Sequence, residues 1–381
     1  MAVKKAKRKK LSFFQQGRLD ITFLALVLIL LTIGLVMLFS ASYAYSLAHY
    51  NNSYRFIIRQ GFFGAVGIAI MFVFSKIDYH IWKKFAWVIF AVSTLMLIAL
   101  LILPPMVDNT EVKRWLVIGP INFQPSETAK FAVIVLLSAL ISANQKQMKS
   151  LKFIAFLMAM LVFTCLLIVL EPHVSATIIT AMIGMVLLVV GGLQLRYIIA
   201  CAGAAVAGAA VLWMTNVISY VKDKLDYWFD PWSDPLGKGF QTIQSLLAIG
   251  SGGIMGRGIG QSRQKYLWVP EPHNDFIFSI VCEELGLIGA MAIIAVFVLL
   301  VWRGFNIAMR SSDRFGSLLA LGLTFQVGLQ AMLNIFVVTN MLPNTGISLP
   351  FFSYGGTSLI ILLAEMGIVL SVSRGASLEK G

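Results

Sequence analysis

Val269-Pro-Glu-Pro-His-Asn-Asp-Phe-Ile-Phe-Ser-Ile-Val-Cys-Glu-Glu-Leu-Gly286 leads directly into Leu287-Ile-Gly-Ala-Met-Ala-Ile-Ile-Ala-Val-Phe-Val-Leu-Leu-Val-Trp302, a run without a charged residue. From Asp275 to Trp302 the stretch exceeds the roughly 20 residues that a helix needs to cross a bilayer. It also carries Asp275, Glu283 and Glu284. A charge near the bilayer centre costs from ~3 kcal/mol upward, so acids in a span face a protein interior or a wet cavity and serve a purpose there. The stretch therefore sets the fold class and marks Asp275 as the first place to look for function.

Working outward, the whole chain has the same character. Its 381 residues are 59% hydrophobic and 12% charged, with a mean hydropathy of +0.85, whereas a soluble globule is nearer ~45–50% apolar. Apolar runs near 21–44, 56–75, 82–104, 126–143, 153–170, 173–193, 197–219, 275–302, 315–340 and 356–373 predict an all-α polytopic membrane protein of about ten transmembrane helices. The first run follows a basic arm and is too long for a signal-peptide core, so it is expected to be retained as a span. Cys165, Cys201 and Cys282 fall inside apolar runs and give neither a disulfide framework nor metal-ligand spacing.

Short cytoplasmic loops collect Lys and Arg. With the N-terminus inside, those loops hold Lys76, Lys83, Lys84, Lys146, Lys149, Lys152, Arg196, Arg303, Arg310, Arg314 and Arg374. Both termini are thus expected to be cytoplasmic. The predicted organisation is a basic arm (1–20), one ten-helix membrane domain (21–373) with an extracytoplasmic loop at 220–274 between helices 7 and 8, and a cytoplasmic tail (374–381). The net charge of +13 reads as topology plus attraction to anionic lipid. Nucleic-acid binding is excluded as a reading, because the basic arm has no aromatic interleaving or binding fold.

Two outer connections, 105–125 and 220–274, are longer than the spans require, and a third at 341–355 is rich in Pro and Gly. In the long loop, turn residues alternate with apolar ones, which suits a re-entrant or surface-lying segment. Gly256-Arg-Gly-Ile-Gly260 has no preceding strand and no Gly-Lys-Ser/Thr after it, so it is not a nucleotide loop. Its glycines serve close backbone packing or the seating of a pyrophosphate. At the fourth span, Pro125 suits a first helical turn, and Glu127 and Lys130 stand three apart on one face, where they can pair. His173 reads as a structural group, and Gln326, Gln330 and Asn334 as interhelical hydrogen-bonding residues.

Five motifs occur in order: Arg114-Trp115 with Gln124-Pro-Ser-Glu127; Asp230-Pro231 with Gly239-Phe-Gln241 and Gln244-Ser245; Ile249-Gly-Ser-Gly-Gly253; Pro270-Glu271 with His273-Asn-Asp-Phe-Ile-Phe278 and Glu283-Glu-Leu-Gly286; and Leu342-Pro-Asn-Thr-Gly-Ile-Ser-Leu-Pro350 with Ser353-Tyr-Gly-Gly356. The chain resembles the SEDS family (shape, elongation, division and sporulation), which includes FtsW, RodA and SpoVE, and its last loop looks closer to FtsW and SpoVE. The resemblance implies ten helices and a peptidoglycan glycosyltransferase that polymerises lipid II at the outer face of the bacterial cytoplasmic membrane. It assigns the essential outer-loop Asp to Asp275 and the fourth-span pair to Glu127 and Lys130. The chain departs from the family's common Asp, Gly and Val at His173, Ser175 and Asn344.

In that reaction a sugar hydroxyl attacks the anomeric carbon of the growing chain and expels undecaprenyl pyrophosphate. Asp275, partly desolvated at the membrane boundary, is the expected general base. Glu283, two turns along on nearly the same face, either tunes it or packs the helix. Arg114, Lys130, Lys238 and Arg257 are the candidate cations for the leaving pyrophosphate. Gln241, Ser245, His273 and Ser353 complete the expected substrate contacts. No organic cofactor is indicated, and the spacing of residues does not decide whether a divalent cation, Mg or Mn, assists.

The resemblance further implies a class B penicillin-binding protein, a transpeptidase, as partner, alongside other divisome or elongation-complex membrane proteins. The ninth span and the 341–355 loop are the candidate contact surface, unless their glycines only shape the loop over the cavity. A lipid II flippase and a transpeptidase scaffold are the alternative functions. Clustering of the polar motifs on the outer side favours the enzyme.

Overall fold

The computed structural model describes residues 17–103, 114–118, 121–171, 173–194, 196–197, 203, 227–266 and 268–376. Among them nine helices are long and apolar enough to cross a membrane. These are α1 (Ile21–Tyr50), α2 (Arg55–Lys76), α3 (His80–Ile102), α4 (Pro125–Ala143), α5 (Leu151–Leu170), α6 (Val174–Gly191), α8 (Ile277–Met309), α9 (Arg314–Val338) and α10 (Gly356–Gly375). A shorter helix, α7 (Phe240–Gly252), lies in the long loop. The seventh expected span, 197–219, falls outside the described residues apart from positions 197 and 203.

Local signals explain where these helices begin. Asp20 caps α1 by accepting from the backbone N–H of Phe23 at 2.9 Å, and Asp313 caps α9 by accepting from Phe315 and Gly316. Pro125 occupies the first turn of α4, where its missing N–H costs nothing. A two-stranded antiparallel hairpin, β1 (Leu116–Ile118) and β2 (Ile121–Phe123), runs into that helix, with Leu116 opposite Phe123 and Val117 opposite Asn122. The Thr357 hydroxyl donates to the Asn122 carbonyl at 2.8 Å, which ties the hairpin to the start of α10.

Burial separates inner helices from outer ones. In α4, α9 and α10, 67% of the apolar window is enclosed, against 28% in α2, α3 and α8. Phe62, Leu95, Leu166 and Val298 are exposed on outer faces, as expected of side chains that meet lipid. α2 and α10 pack closely, with Gly67 against the Leu363 side chain and Gly367 against the Met71 backbone. Small residues allow this approach in a bilayer, where helices associate by packing rather than by exclusion of water.

Contacts between helix ends sort the charges: at one end Arg314 donates to the Val190 carbonyl, Ser371 donates to the Ile77 carbonyl and Arg303 pairs with Asp20. Lys76, Lys146, Lys149, Arg303, Arg310, Arg314 and Arg374 all lie at or beyond one set of helix ends, whereas α4, α6, α8 and α10 begin at the opposite end. That opposite end carries the hairpin, the long loop and the 341–355 segment.

The eighth span holds the main departure from simple helical periodicity. Gly286 sits at φ 68°, ψ −170° inside α8 and kinks it. A Cβ at Gly256 would fall 2.3 Å from the Glu284 carbonyl oxygen, and one at Gly286 would fall 2.2 Å from the Gly256 nitrogen. Both glycines also have positive φ, so no other residue fits where the loop crosses the kink.

Candidate active site

At the hairpin end of the bundle, α2, α4, α6, α9, α10 and the loops enclose a cavity of about 930 Å³. Asp275, Arg114, Glu127 and Lys130, all singled out in the sequence, line it. So do Glu271, Gln330, Ser348 and Tyr354, which the sequence reading did not assign to a site. On one flank α2 presents Ile58, Phe62 and Phe63, with Arg59 between them, and both Ile58 and Phe62 are largely exposed. The pocket thus joins a charged floor to an apolar lip.

The position of Asp275 is fixed by backbone contacts. The Asn334 side-chain amide, fully buried on α9, donates to the Asp275 carbonyl at 2.7 Å and to the Ile347 carbonyl at 2.6 Å. Ser353 Oγ donates to the Asn274 carbonyl and accepts from the Leu349 N–H, and the Tyr354 N–H donates to the His273 carbonyl. Residues 273–275 and the 341–355 loop are therefore a single hydrogen-bonded body. Asn334 was expected to bridge helices, and in the structure it bridges the two loops that carry the site.

Gly346 completes that body at φ +69°, where an added Cβ would lie 3.2 Å from Asp275 Oδ2. A Gly346→Ala variant should lose about 1–2 kcal/mol of stability from the left-handed backbone and displace the carboxylate. Thermal unfolding in detergent checks this: an unchanged melting temperature would mean that the loop relaxes freely.

Burial pushes the Asp275 carboxyl up to about 6; the neighbouring Glu271 charge raises it further, and Arg114 pulls against both. A carboxyl raised in the folded state adds stability while protonated, and that stability is lost as pH rises through about 6. Asp275→Asn is therefore expected to melt higher than wild type at neutral pH, by about 1–2 kcal/mol given its partial exposure, with the gap closing near pH 4. A variant no more stable at pH 7.5 would show that the carboxylate is not desolvated.

Facing Asp275 across the cavity is the fourth-helix pair. Lys130 Nζ lies 2.8 Å from Glu127 Oε2 and 3.4 Å from Gln330 Oε1, and its side chain is 1% exposed. Gln330 Nε2 in turn donates to the Ser348 carbonyl and hydroxyl. His173, paired at 3.3 Å with Ser126 Oγ, is pushed down to about 3 by burial and by the Arg114 and Lys130 charges. It is a neutral wall residue. Behind it, burial drives the Glu171 carboxyl up to about 8 against the pull of Arg114. The site therefore brings the raised Asp275 carboxyl together with the Arg114 and Lys130 cations.

The remaining expected site residues do not line the cavity. Glu283 is buried and accepts from Ser262 Oγ, Arg263 N and Gln264 N, while Glu284 accepts from Ser40 Oγ, Gly260 N and Lys265 Nζ. Both acids hold the 260–265 turn, so Glu283 does not face Asp275. Arg257, just before that turn, donates to the Ser251 carbonyl and stands 3.7 Å from Glu283. Ser245 donates to the Val338 carbonyl and Gln241 accepts from Asn344. Lys238 Nζ is 5.1 Å above the Tyr227 ring. His273 packs against Phe56 at 4.2 Å and Tyr45 at 4.8 Å. Ser353 acts through the Asn274 carbonyl, as described above. Among the described residues no three His, Cys, Asp or Glu side chains gather as metal ligands.

A family model described as a cell cycle protein, covering FtsW, RodA and SpoVE, matches residues 21–378. Stage V sporulation protein E of Bacillus subtilis is 37% identical over 359 residues, 93% of this chain and 97% of its own length. A probable peptidoglycan glycosyltransferase FtsW of Geobacter sp. strain M18 is 36% identical over 94% of this chain and 98% of its own. Among solved structures, a chain of a peptidoglycan synthase complex that coordinates polymerization and crosslinking is 26% identical, with a TM-score of 0.78 over 95% of this chain and 99% of that one. The rod shape determining protein RodA of Thermus thermophilus shares the fold, with a TM-score of 0.68 at 24% identity over 95% of this chain and 98% of that one.

Proposed function

The chain belongs to the FtsW/RodA/SpoVE family, and from that premise we infer that it is a peptidoglycan glycosyltransferase of the bacterial cytoplasmic membrane, whose chemistry occupies the cavity around Asp275. The single observation that carries the location is the meeting of a raised carboxyl, the Arg114 and Lys130 cations and apolar α2 side chains in one pocket.

The substrate is lipid II, an amphipathic molecule with a polyprenyl tail, a pyrophosphate and a sugar-peptide head. Its needs match the pocket. The α2 lip of Ile58, Phe62 and Phe63 suits the tail, which stays in the bilayer, and Arg114 and Lys130 supply positive charge for the pyrophosphate. In the reaction the acceptor's sugar hydroxyl attacks the anomeric carbon of the donor. A C–O bond forms, the bond to pyrophosphate breaks with its electron pair going to the leaving group, and the hydroxyl proton passes to an Asp275 oxygen. A carboxylate titrating near 6 is a stronger base than an exposed one and is still ionised at neutral pH.

This assignment fixes a pH profile. The base works only when deprotonated, so kcat/KM should rise with pH through about 6 and level off by neutral pH. A rate independent of pH between 5 and 8 would remove Asp275 from that role.

The likeness to a chain of a peptidoglycan synthase complex supports a penicillin-binding protein as partner. A class B penicillin-binding protein with a single span would meet α9 and the 341–355 loop. Photo-crosslinkers at Phe336 and Ser348 in cells test this: capture of such a partner is expected at Phe336, and crosslinks confined to other helices would exclude the surface. For the activity itself, purified protein in detergent should convert labelled lipid II to polymer. A flippase would leave it unpolymerised but move it across vesicles, and a scaffold would do neither.

A further inference from the structure

α10 carries an acid that the mechanism does not use. Glu365 lies nine residues into the helix, about 14 Å from its first residue, and is 1% exposed. Gln326 on α9, 2% exposed, donates from Nε2 to Glu365 Oε2 at 3.1 Å. Glu365 Oε1 and Gln326 Oε1 are both buried without a hydrogen-bond partner.

Two orphaned acceptors on a carboxyl and the amide bonded to it have a simple chemical remedy. A proton on Glu365 Oε1 turns that oxygen into a donor, and the amide oxygen is the acceptor it needs. The carboxyl and carboxamide then form a ring of two hydrogen bonds, and no buried polar atom of the pair is left unsatisfied. An ionised Glu365 would leave its own Oε1 and the Gln326 Oε1 unpaired away from water, where an unsatisfied acceptor is costly.

The α4 pair lies close by: Glu127 lines one small void together with Gln326, and Lys130 is paired with Glu127. The other helices packed against α10 offer no competing cation at this depth. Arg55, Arg59, Lys76 and Arg314 lie near helix ends, Arg303 is paired with Asp20, and Glu283 and Glu284 are held by the 260–265 turn. Lys130 already has Glu127 at 2.8 Å. A small polar void lined by Glu127, Gln326 and Gln330 connects the two sets of side chains.

We propose that Glu365 is a positioning residue held in its neutral, protonated form by Gln326, so that the Lys130 charge stays committed to Glu127 and to the anionic substrate. The proposal deepens the glycosyltransferase reading and rests on it for the substrate. Deprotonation of Glu365 places a second negative charge beneath Lys130, draws the ammonium group away from the cavity, and weakens pyrophosphate binding without touching the base.

Infrared difference spectroscopy of wild type minus Glu365→Gln tests the protonation directly. A carboxylic-acid carbonyl band at neutral pH is expected, and a carboxylate band in its place would overturn the proposal. The positioning role is read from KM for lipid II against pH. Wild type should show a rise of about tenfold at alkaline pH with kcat unchanged, and Glu365→Gln, which keeps the two-bond ring as an amide pair, should stay flat. Identical alkaline profiles would refute the positioning role even with the acid band present. The infrared result does not depend on turnover, so loss of polymerisation by both proteins would count against the glycosyltransferase reading and not against the protonated pair.

Discussion

Asp275→Asn is expected to lower kcat for glycan polymerisation by about 10²–10⁴-fold, the range that a positioned general base contributes, while leaving the protein folded. The asparagine keeps the shape of the side chain but has no lone pair basic enough to take the hydroxyl proton. Its backbone anchor survives, because Asn334 bonds the carbonyl of residue 275 and not its side chain. The combination of lost activity with a higher melting temperature at neutral pH separates this outcome from general damage. Near-normal polymer from the purified variant would end the assignment of Asp275 as base.

Lys130→Met is expected to be the more destructive change overall. It deletes the cation facing the leaving pyrophosphate, a loss of about 10²–10³-fold in rate, and it leaves Glu127 without its partner at 2.8 Å. Breaking a buried pair from one side costs about 3–5 kcal/mol, because the remaining charge is uncompensated. Lys130→Met with Glu127→Gln removes that penalty. The double variant should regain most of the stability and none of the activity, and recovery of turnover would mean that Lys130 is needed only for folding.

The helices were legible because each is a long apolar run that has to satisfy its own backbone in lipid, and nine of the ten expected spans correspond to helices among the described residues. The Glu127–Lys130 pair was legible because a three-residue spacing in a helix allows few geometries. Glu283 shows where periodicity stops being informative. Eight residues after Asp275 it should share nearly the same face, yet Asp275 precedes the first turn of α8 and the glycine-rich turn folds back over the acid. That contact joins segments about twenty residues apart in the chain, which no helical spacing encodes. Gly256 and Gly286 carried the only local sign of the crossing, and glycines alone do not name their partner.

Asn334 and Ser353 were likewise visible as polar residues, but not as the clamps that fix Asp275, since their partners are backbone carbonyls of other loops. Glu271 stood in the quoted stretch from the start, and only the turn at 271–275 brings it to the cavity with Asp275. Glu365 is the single acid of α10, and the cost of an acid within a span was the signal that could have marked it, as it marked Asp275.

A structure with a non-reactive lipid II analogue bound tests the central claim most directly. The pyrophosphate is expected within hydrogen-bonding reach of Lys130 or Arg114, the prenyl tail leaving across Ile58 and Phe62, and an acceptor sugar hydroxyl at Asp275. An analogue seated instead against Lys238 and Arg257, with the cavity around Asp275 empty of it, would contradict the account.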